Sequence, residues 1–200
     1  MNLLPHYNIA LNQDQTDVVD RLSEFLANEE KVFLLKGYAG TGKTTLIAGL
    51  IKALEHEKKQ FVVCAPTGRA AKVLRNKTGH GATIHSTIYD FDNLETKNSN
   101  KEDLAEHSYE YFFPILKLES ETIVIVDEAS MISSRQSKHE LFTFGTDVLL
   151  SDLLTYTNFT SSNCKNKMIV IGDPAQLAPV GDNNSWALEK SFYEKRNISV

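Results

Sequence analysis

Gly37-Tyr38-Ala39-Gly40-Thr41-Gly42-Lys43-Thr44-Thr45 lies between a short apolar run, Lys31 to Lys36, and a segment of helical composition, Thr45 to Leu54. The spacing is that of G-x-x-x-x-G-K-[ST]. A strand before it and a helix after it are the context this loop needs. Gly37, Gly40 and Gly42 let backbone N–H groups turn inward, and the helix start adds partial positive charge, so the expected guest is a phosphate. Ala39, Thr41 and Thr45 complete the cradle. Lys43 would neutralise the β- and γ-phosphate oxygens of a nucleotide. The Thr44 hydroxyl would hold Mg²⁺, an ion that keeps most of its ligands as water and phosphate. A glycine-rich turn with a chance lysine is the bland alternative, and it leaves the flanks unexplained.

Composition bounds the rest. A chain of 200 residues can bury one sizeable core. Its 42% hydrophobic and 24% charged content is that of an ordinary globular domain. Cys64 and Cys164 are too few and too far apart for a disulfide framework or a zinc site, so a reducing compartment, the cytoplasm, is expected. The N-terminus lacks the charged start and apolar core of a signal peptide, and no apolar run approaches membrane-spanning length. The net charge of −5 does not advertise a nucleic-acid binder, but charge is unevenly spread. Lys58 to Tyr89 carries Lys58, Lys59, Arg69, Lys72, Arg75 and Lys77 and no acid. Asp90 to Glu110 then carries Asp90, Asp92, Glu95, Glu102, Asp103, Glu106 and Glu110. Alone, such a pattern is more often a solvated surface than a binding site.

The chain opens with a helix beginning at Leu11-Asn-Gln-Asp-Gln15, with Asn12 as N-cap and Val18, Val19, Leu22, Phe25 and Leu26 on one apolar face. Gln15 sits one turn in, where its amide could donate to and accept from an adenine edge; an ordinary surface glutamine is the alternative. Gln60 to Ala65 reads as a second buried strand, Pro66-Thr67-Gly68 as a turn, and Arg69 to Arg75 as a helix. Thr67 and Arg69 therefore fall at a strand's carboxyl end, where ligands gather in such sheets. His85 has no second histidine or cysteine at metal-ligand spacing, so a metal there is not expected. Asn93 to Ser108 reads as an exposed loop or tip, flanked by Ile88–Phe91 and Tyr109–Phe113 as the strands of an excursion spanning 88–118. Thr122 to Val126 is a buried strand ending in Asp127-Glu128. Adjacent carboxylates there need a nearby cation. Asp127 would hold Mg²⁺ and Glu128 would deprotonate a water. A helix over Asp147 to Tyr156 and a strand over Lys167 to Ile171 follow. The loop Gly172-Asp-Pro-Ala-Gln-Leu-Ala-Pro-Val180 can then bring Gln176 to the γ-phosphate region.

Six stretches in this order carry a resemblance. They are Leu11-Asn-Gln-Asp-Gln15, Gly37 to Thr44, Ala65-Pro-Thr-Gly-Arg-Ala-Ala71, Thr83-Ile-His-Ser86, Val126-Asp-Glu-Ala-Ser-Met-Ile-Ser133 and Gly172 to Val180. Together they resemble the first motor domain of a superfamily 1B DNA helicase of the RecD-like type, the family of the exodeoxyribonuclease V alpha subunit. The resemblance implies an α/β P-loop (RecA-like) domain over residues 1–200, with a mostly parallel sheet flanked by helices. The 88–118 excursion falls where the family inserts a strand-separating pin. ATP and Mg²⁺ are the implied ligands. Gln15 takes the place of the adenine contact, Lys43 and Thr44 of the phosphate and metal residues, Asp127 of the metal carboxylate, Glu128 of the catalytic base and Gln176 of the γ-phosphate sensor. Thr67, Gly68, Arg69, Lys72, Thr83 and His85 fall in segments lining a single-stranded DNA track, and 5′-to-3′ polarity comes from the family alone. The family commonly has arginine after the histidine, where this chain has Ser86. Its second RecA-like domain, with the arginine fingers, is not among the 200 residues. A piece of a longer helicase is therefore expected, one that binds ATP, turns it over slowly alone and unwinds nothing; recombination or nuclease subunits are further partners to test. The alternatives are a self-sufficient PhoH-like ATPase and a non-catalytic nucleotide and single-strand binding module.

Overall fold

The computed structural model describes residues 1–98, 109–137, 141–161, 163–179 and 181–200. Asn12 caps the first helix, α1 (Gln13–Ala27), by accepting from the Gln15 N–H at 2.8 Å, while the Gln15 amide oxygen accepts from the Asn12 N–H at 3.1 Å. This reciprocal pair satisfies two otherwise orphaned donors. Next come β1 (Val32–Lys36), α2 (Lys43–His56), β2 (Phe61–Ala65), α3 (Gly68–Thr78), β3 (Ala82–Thr83) and α4 (Ile84–Ile88). They are followed by β4 (Glu95–Asn98), β5 (Tyr109–Phe113), β6 (Ile123–Val126), β7 (Phe142–Phe144), α5 (Leu149–Thr157), β8 (Lys167–Gly172) and α6 (Lys190–Glu194).

The main sheet has the order β1-β8-β6-β2-β3, and every pair in it is parallel. Parallel strands need crossovers, and helices on both faces bury them, which is why their sequences are near-continuous apolar runs. Successive side chains point to opposite faces, so each strand feeds two cores. Phe33, Leu35, Ile123, Ile125, Ile169 and Ile171 pack with α1 and α2 on one side. Val32, Val124, Val126, Met168 and Val170 pack with α4 and α5 on the other. Lys167 ties α1 to this sheet: its ammonium donates to the carbonyls of Phe25, Asn28 and Glu30, each at 2.7 Å, where the helix end leaves acceptors unpaired. Among the described residues no helix is long and apolar enough to cross a membrane, and Cys64 and Cys164 are free and buried.

A second, three-stranded sheet has the order β4-β5-β7, antiparallel at the first pair and parallel at the second. It corrects the expected strand pair. Tyr109–Phe113 is β5, but Ile88–Phe91 is not its partner: Ile88 ends α4, and Tyr89 makes a single bridge to Ile115. The Asp90 carboxylate accepts from the N–H groups of Asp92 and Asn93 and from the Asn93 amide, a turn that stops extension there. The partner is β4, inside the stretch expected to be loop; residues 99–108 of that stretch lie outside the described residues. β7 had no sequence signal, since three residues are too short for a periodicity. Cross-strand register sets Tyr111 opposite Phe142 and Phe113 opposite Phe144, with ring centroids 5.8 and 4.8 Å apart. Phe144 also meets His85 and Tyr89, and the Tyr89 hydroxyl donates to the buried Asp152 carboxylate at 2.6 Å. The excursion is thus docked on α4 and α5.

Candidate nucleotide site

β1, β8 and β6 are neighbours, so the loops at their carboxyl ends meet at one edge of the sheet, the usual ligand position in this architecture. The Gly37 N–H donates to the Gly172 carbonyl at 3.1 Å, joining the first two loops at their roots. Ala39, Gly40, Gly42, Lys43, Thr44 and Thr45 from the glycine loop line a cavity of about 320 Å³. Asp127 and Glu128 after β6, Gln176 after β8, and Lys77 on α3 line it with them. Gly42 has φ +90°, a conformation that disfavours a side chain, and a Cβ there would sit 2.6 Å from the Gln15 amide nitrogen, which would have to move aside. The Lys43 ammonium donates to the Gly37 carbonyl at 2.6 Å and the Tyr38 carbonyl at 2.9 Å, lying across the cradle.

A second cavity, of about 280 Å³, adjoins the first at Lys43 and is lined by Asn12, Gln15, Val18, Gly37 and Thr41, among others. Besides its capping bond, Gln15 donates from its amide nitrogen to the Thr41 carbonyl at 3.2 Å. The same glutamine therefore starts α1, bonds the glycine loop and lines a space shared by apolar side chains, amides and the charged Asp14, Lys36 and Lys43.

Burial pushes the Asp127 carboxyl above the usual range, and the neighbouring Glu128 charge acts in the same direction; the Glu128 N–H at 2.9 Å and the charges of Lys43 and Lys77 oppose it. A largely desolvated carboxylate on a cavity shared with Thr44 fits a hard divalent cation arriving with a phosphate. Among the described residues no group of three or more His, Cys, Asp or Glu could hold a metal by itself, so phosphate oxygens and water must complete the shell. Asp127→Asn should raise the thermal midpoint of the nucleotide-free domain. The folded state binds the Asp127 proton more tightly than the unfolded state, so its ionisation lowers stability as pH rises through the carboxylate range. The gain should be full at neutral pH and vanish below pH ~4, near the unfolded carboxyl's pKa. Scanning calorimetry at both pH values checks it.

Glu128 adopts φ +54°, a left-handed conformation rare for a side-chain-bearing residue. It sits immediately before the 3₁₀ turn Ala129–Met131. Such strain persists only where the surroundings impose it, and it gathers at functional sites.

The other anticipated residues follow β2 and β3, the next strands along the same edge. Thr67 accepts from the Ala70 N–H at 3.2 Å and caps α3, whose first turns expose Gly68, Arg69 and Lys72. Arg75, also exposed on this helix, donates from its guanidinium to the Gly81 carbonyl at 2.8 Å. Thr83 and Ser86 form a capping box on α4, so the serine standing in for arginine has a structural task. His85 is half-buried against Tyr89 and Phe144. Lys77 was missed as a site residue. It lies three residues after the buried Leu74, but nothing local says that this flank faces Asp127.

Fold and site define a P-loop nucleotide-binding domain. A family model described as AAA domain matches residues 10–147. The chain belongs to this family and resembles the first motor domain of RecD-like superfamily 1B helicases. An uncharacterised protein, R530, of Acanthamoeba polyphaga mimivirus is 30% identical over 87% of this chain and 34% of its own length. The ATP-dependent RecD2 DNA helicase of Deinococcus radiodurans is 26% identical over 85% of this chain and 18% of its own. The solved Pif1 helicase from Candida albicans superposes over 96% of this chain and 38% of its own with a TM-score of 0.54 at 20% identity, a likeness of fold. This chain thus spans well under half the length of each.

Proposed function

We propose that this chain is the ATP-hydrolysing half of a 5′-to-3′ DNA helicase or translocase, coupling nucleotide turnover to movement on single-stranded DNA. The observation that supports it most is the division of one sheet edge. Loops after β1, β8 and β6 gather most of the nucleotide residues, while the β2–α3 junction and α3 carry Thr67, Gly68, Arg69 and Lys72, and the end of β3 with α4 carries Thr83 and His85. A nucleotide and a strand would then lie side by side on shared elements. The polarity rests on the family resemblance.

In this reading Lys43 and the loop N–H groups hold the phosphates, and Gln15 meets the base. Thr44 and Asp127 hold Mg²⁺, which when bound neutralises phosphate charge. Glu128 takes the proton of the attacking water, and Gln176 donates to the γ-phosphate. Lys77 adds a cation that the sequence reading did not count on. A partner arginine in related systems contributes roughly 10³- to 10⁵-fold in rate, so slow turnover by this chain alone remains the expectation.

The test is ATP hydrolysis with and without single-stranded DNA. Stimulation by DNA supports a motor; hydrolysis indifferent to DNA favours a self-sufficient ATPase, and binding without hydrolysis favours a binding module. Single-strand binding should fall steeply with salt through counterion release. Arg69→Glu with Lys72→Glu should weaken it about tenfold or more and reduce the log–log salt slope by roughly 1–2. Fluorescence anisotropy across a salt series measures both, and an unchanged slope places the track elsewhere.

A further inference from the structure

Gln176 reaches the phosphate cavity from an exposed loop, and an unrestrained amide there has two orientations of opposite chemistry. One presents its N–H donors to a phosphate, the other a repelling carbonyl oxygen. In the structure the Ser130 hydroxyl donates to the Gln176 amide oxygen at 2.8 Å. Ser130 is itself fully buried in the turn Ala129–Met131, directly after Asp127 and Glu128. Its carbonyl accepts from the Ser185 hydroxyl at 3.0 Å, and its N–H lies so close to Gly172 that a Cβ there would approach to 3.1 Å. The serine backbone thus lies against the end of β8. A few residues on, the Asp182 carboxylate accepts from the Ser133 hydroxyl at 3.0 Å and from the Ser134 N–H and hydroxyl at 2.9 and 2.8 Å, pinning the same two loops together again.

We propose that Ser130 is a positioning residue that holds the Gln176 amide with its oxygen turned inward and its nitrogen turned to the cavity, so that the site reads the γ-phosphate. This rests on the nucleotide reading above and adds to it a reason why the domain would tell ATP from ADP. The serine touches no nucleotide. It fills the acceptor end of the amide, and only the donor end is left to face the phosphate. Because Ser130 follows the two carboxylates on one short turn, sensor and water-activating base share a single rigid support.

The experiment measures binding of ADP and of the non-hydrolysable β,γ-imido analogue of ATP by calorimetry, so no turnover is needed. Ser130→Ala should lower the preference for the triphosphate at least fivefold while ADP affinity stays within twofold. Gln176→Ala should do the same, and the double variant should be no worse than Gln176→Ala alone, since residues acting through one contact are not additive. A merely structural serine would weaken both nucleotides alike and add to the Gln176 change; either result overturns the proposal. Gln176→Glu gives a second arm that leaves the buried serine in place. Its carboxylate still accepts from Ser130 but offers no donor, so the preference should be lost. A wild-type preference in Gln176→Glu overturns the proposal even if Ser130→Ala proves unstable. If the unaltered chain binds neither nucleotide, the nucleotide reading falls and this proposal with it. Binding with a triphosphate preference untouched by Ser130→Ala removes this proposal only.

Discussion

Lys43→Ala is expected to weaken Mg·ATP binding by ~100-fold or more and to leave the fold standing. A hydrogen bond between charged groups contributes about 1.5–3 kcal/mol, and 2.7 kcal/mol is about two decades of affinity. The ammonium's present bonds are to Gly37 and Tyr38, six and five residues away in the chain, and they join no packed elements. α2 is held by Leu46, Ile47, Leu50, Ile51 and Leu54, all buried, so the helix does not depend on its first residue. Calorimetric titration with Mg·ATP, beside circular dichroism, makes the measurement. Equal affinity in the variant would remove Lys43 from the site.

Glu128→Gln should keep ATP binding and reduce hydrolysis by about 10²- to 10⁴-fold, the usual span of a general base. The amide is nearly isosteric and can occupy the same left-handed backbone position, but it cannot accept the proton of the attacking water. The neighbouring Asp127 provides the contrast. Asp127→Asn should affect metal dependence and stability together, because Asp127 is the carboxylate that burial penalises. Single-turnover hydrolysis beside nucleotide titration separates the two variants. Unchanged turnover in Glu128→Gln would assign the base elsewhere.

The glycine loop, the acidic strand end and the Gln176 loop, which line one cavity, were each readable within their own segment. Gly37 to Thr45 encode a backbone shape, and Thr122 to Val126 and Lys167 to Ile171 are apolar runs that could only be buried. The first run ends directly in Asp127 and Glu128, and the second leads into the loop that carries Gln176. The strand pair of the excursion was not readable in the same way. Ile88–Phe91 has the alternation of a strand, yet Asp90 turns the chain, while Glu95–Asn98 lacks alternation and pairs with β5. A short, partly exposed ladder is set by its partner, and the partner lies outside any local window.

The sequence by itself therefore determined the class of fold, the glycine loop between strand and helix and the paired carboxylates at a strand end, since these follow from backbone freedom, hydrophobic periodicity and spacing within single segments. The tertiary structure alone decided which residues from distant segments meet. It set Lys77 on the same cavity as Asp127, gave Gln15 to the glycine loop as well as to its own helix, and placed Ser130 against Gln176 across 46 residues of chain. Those choices depend on strand order and helix docking. Both are set by how whole apolar faces pack, and no single residue's neighbours along the chain carry that information.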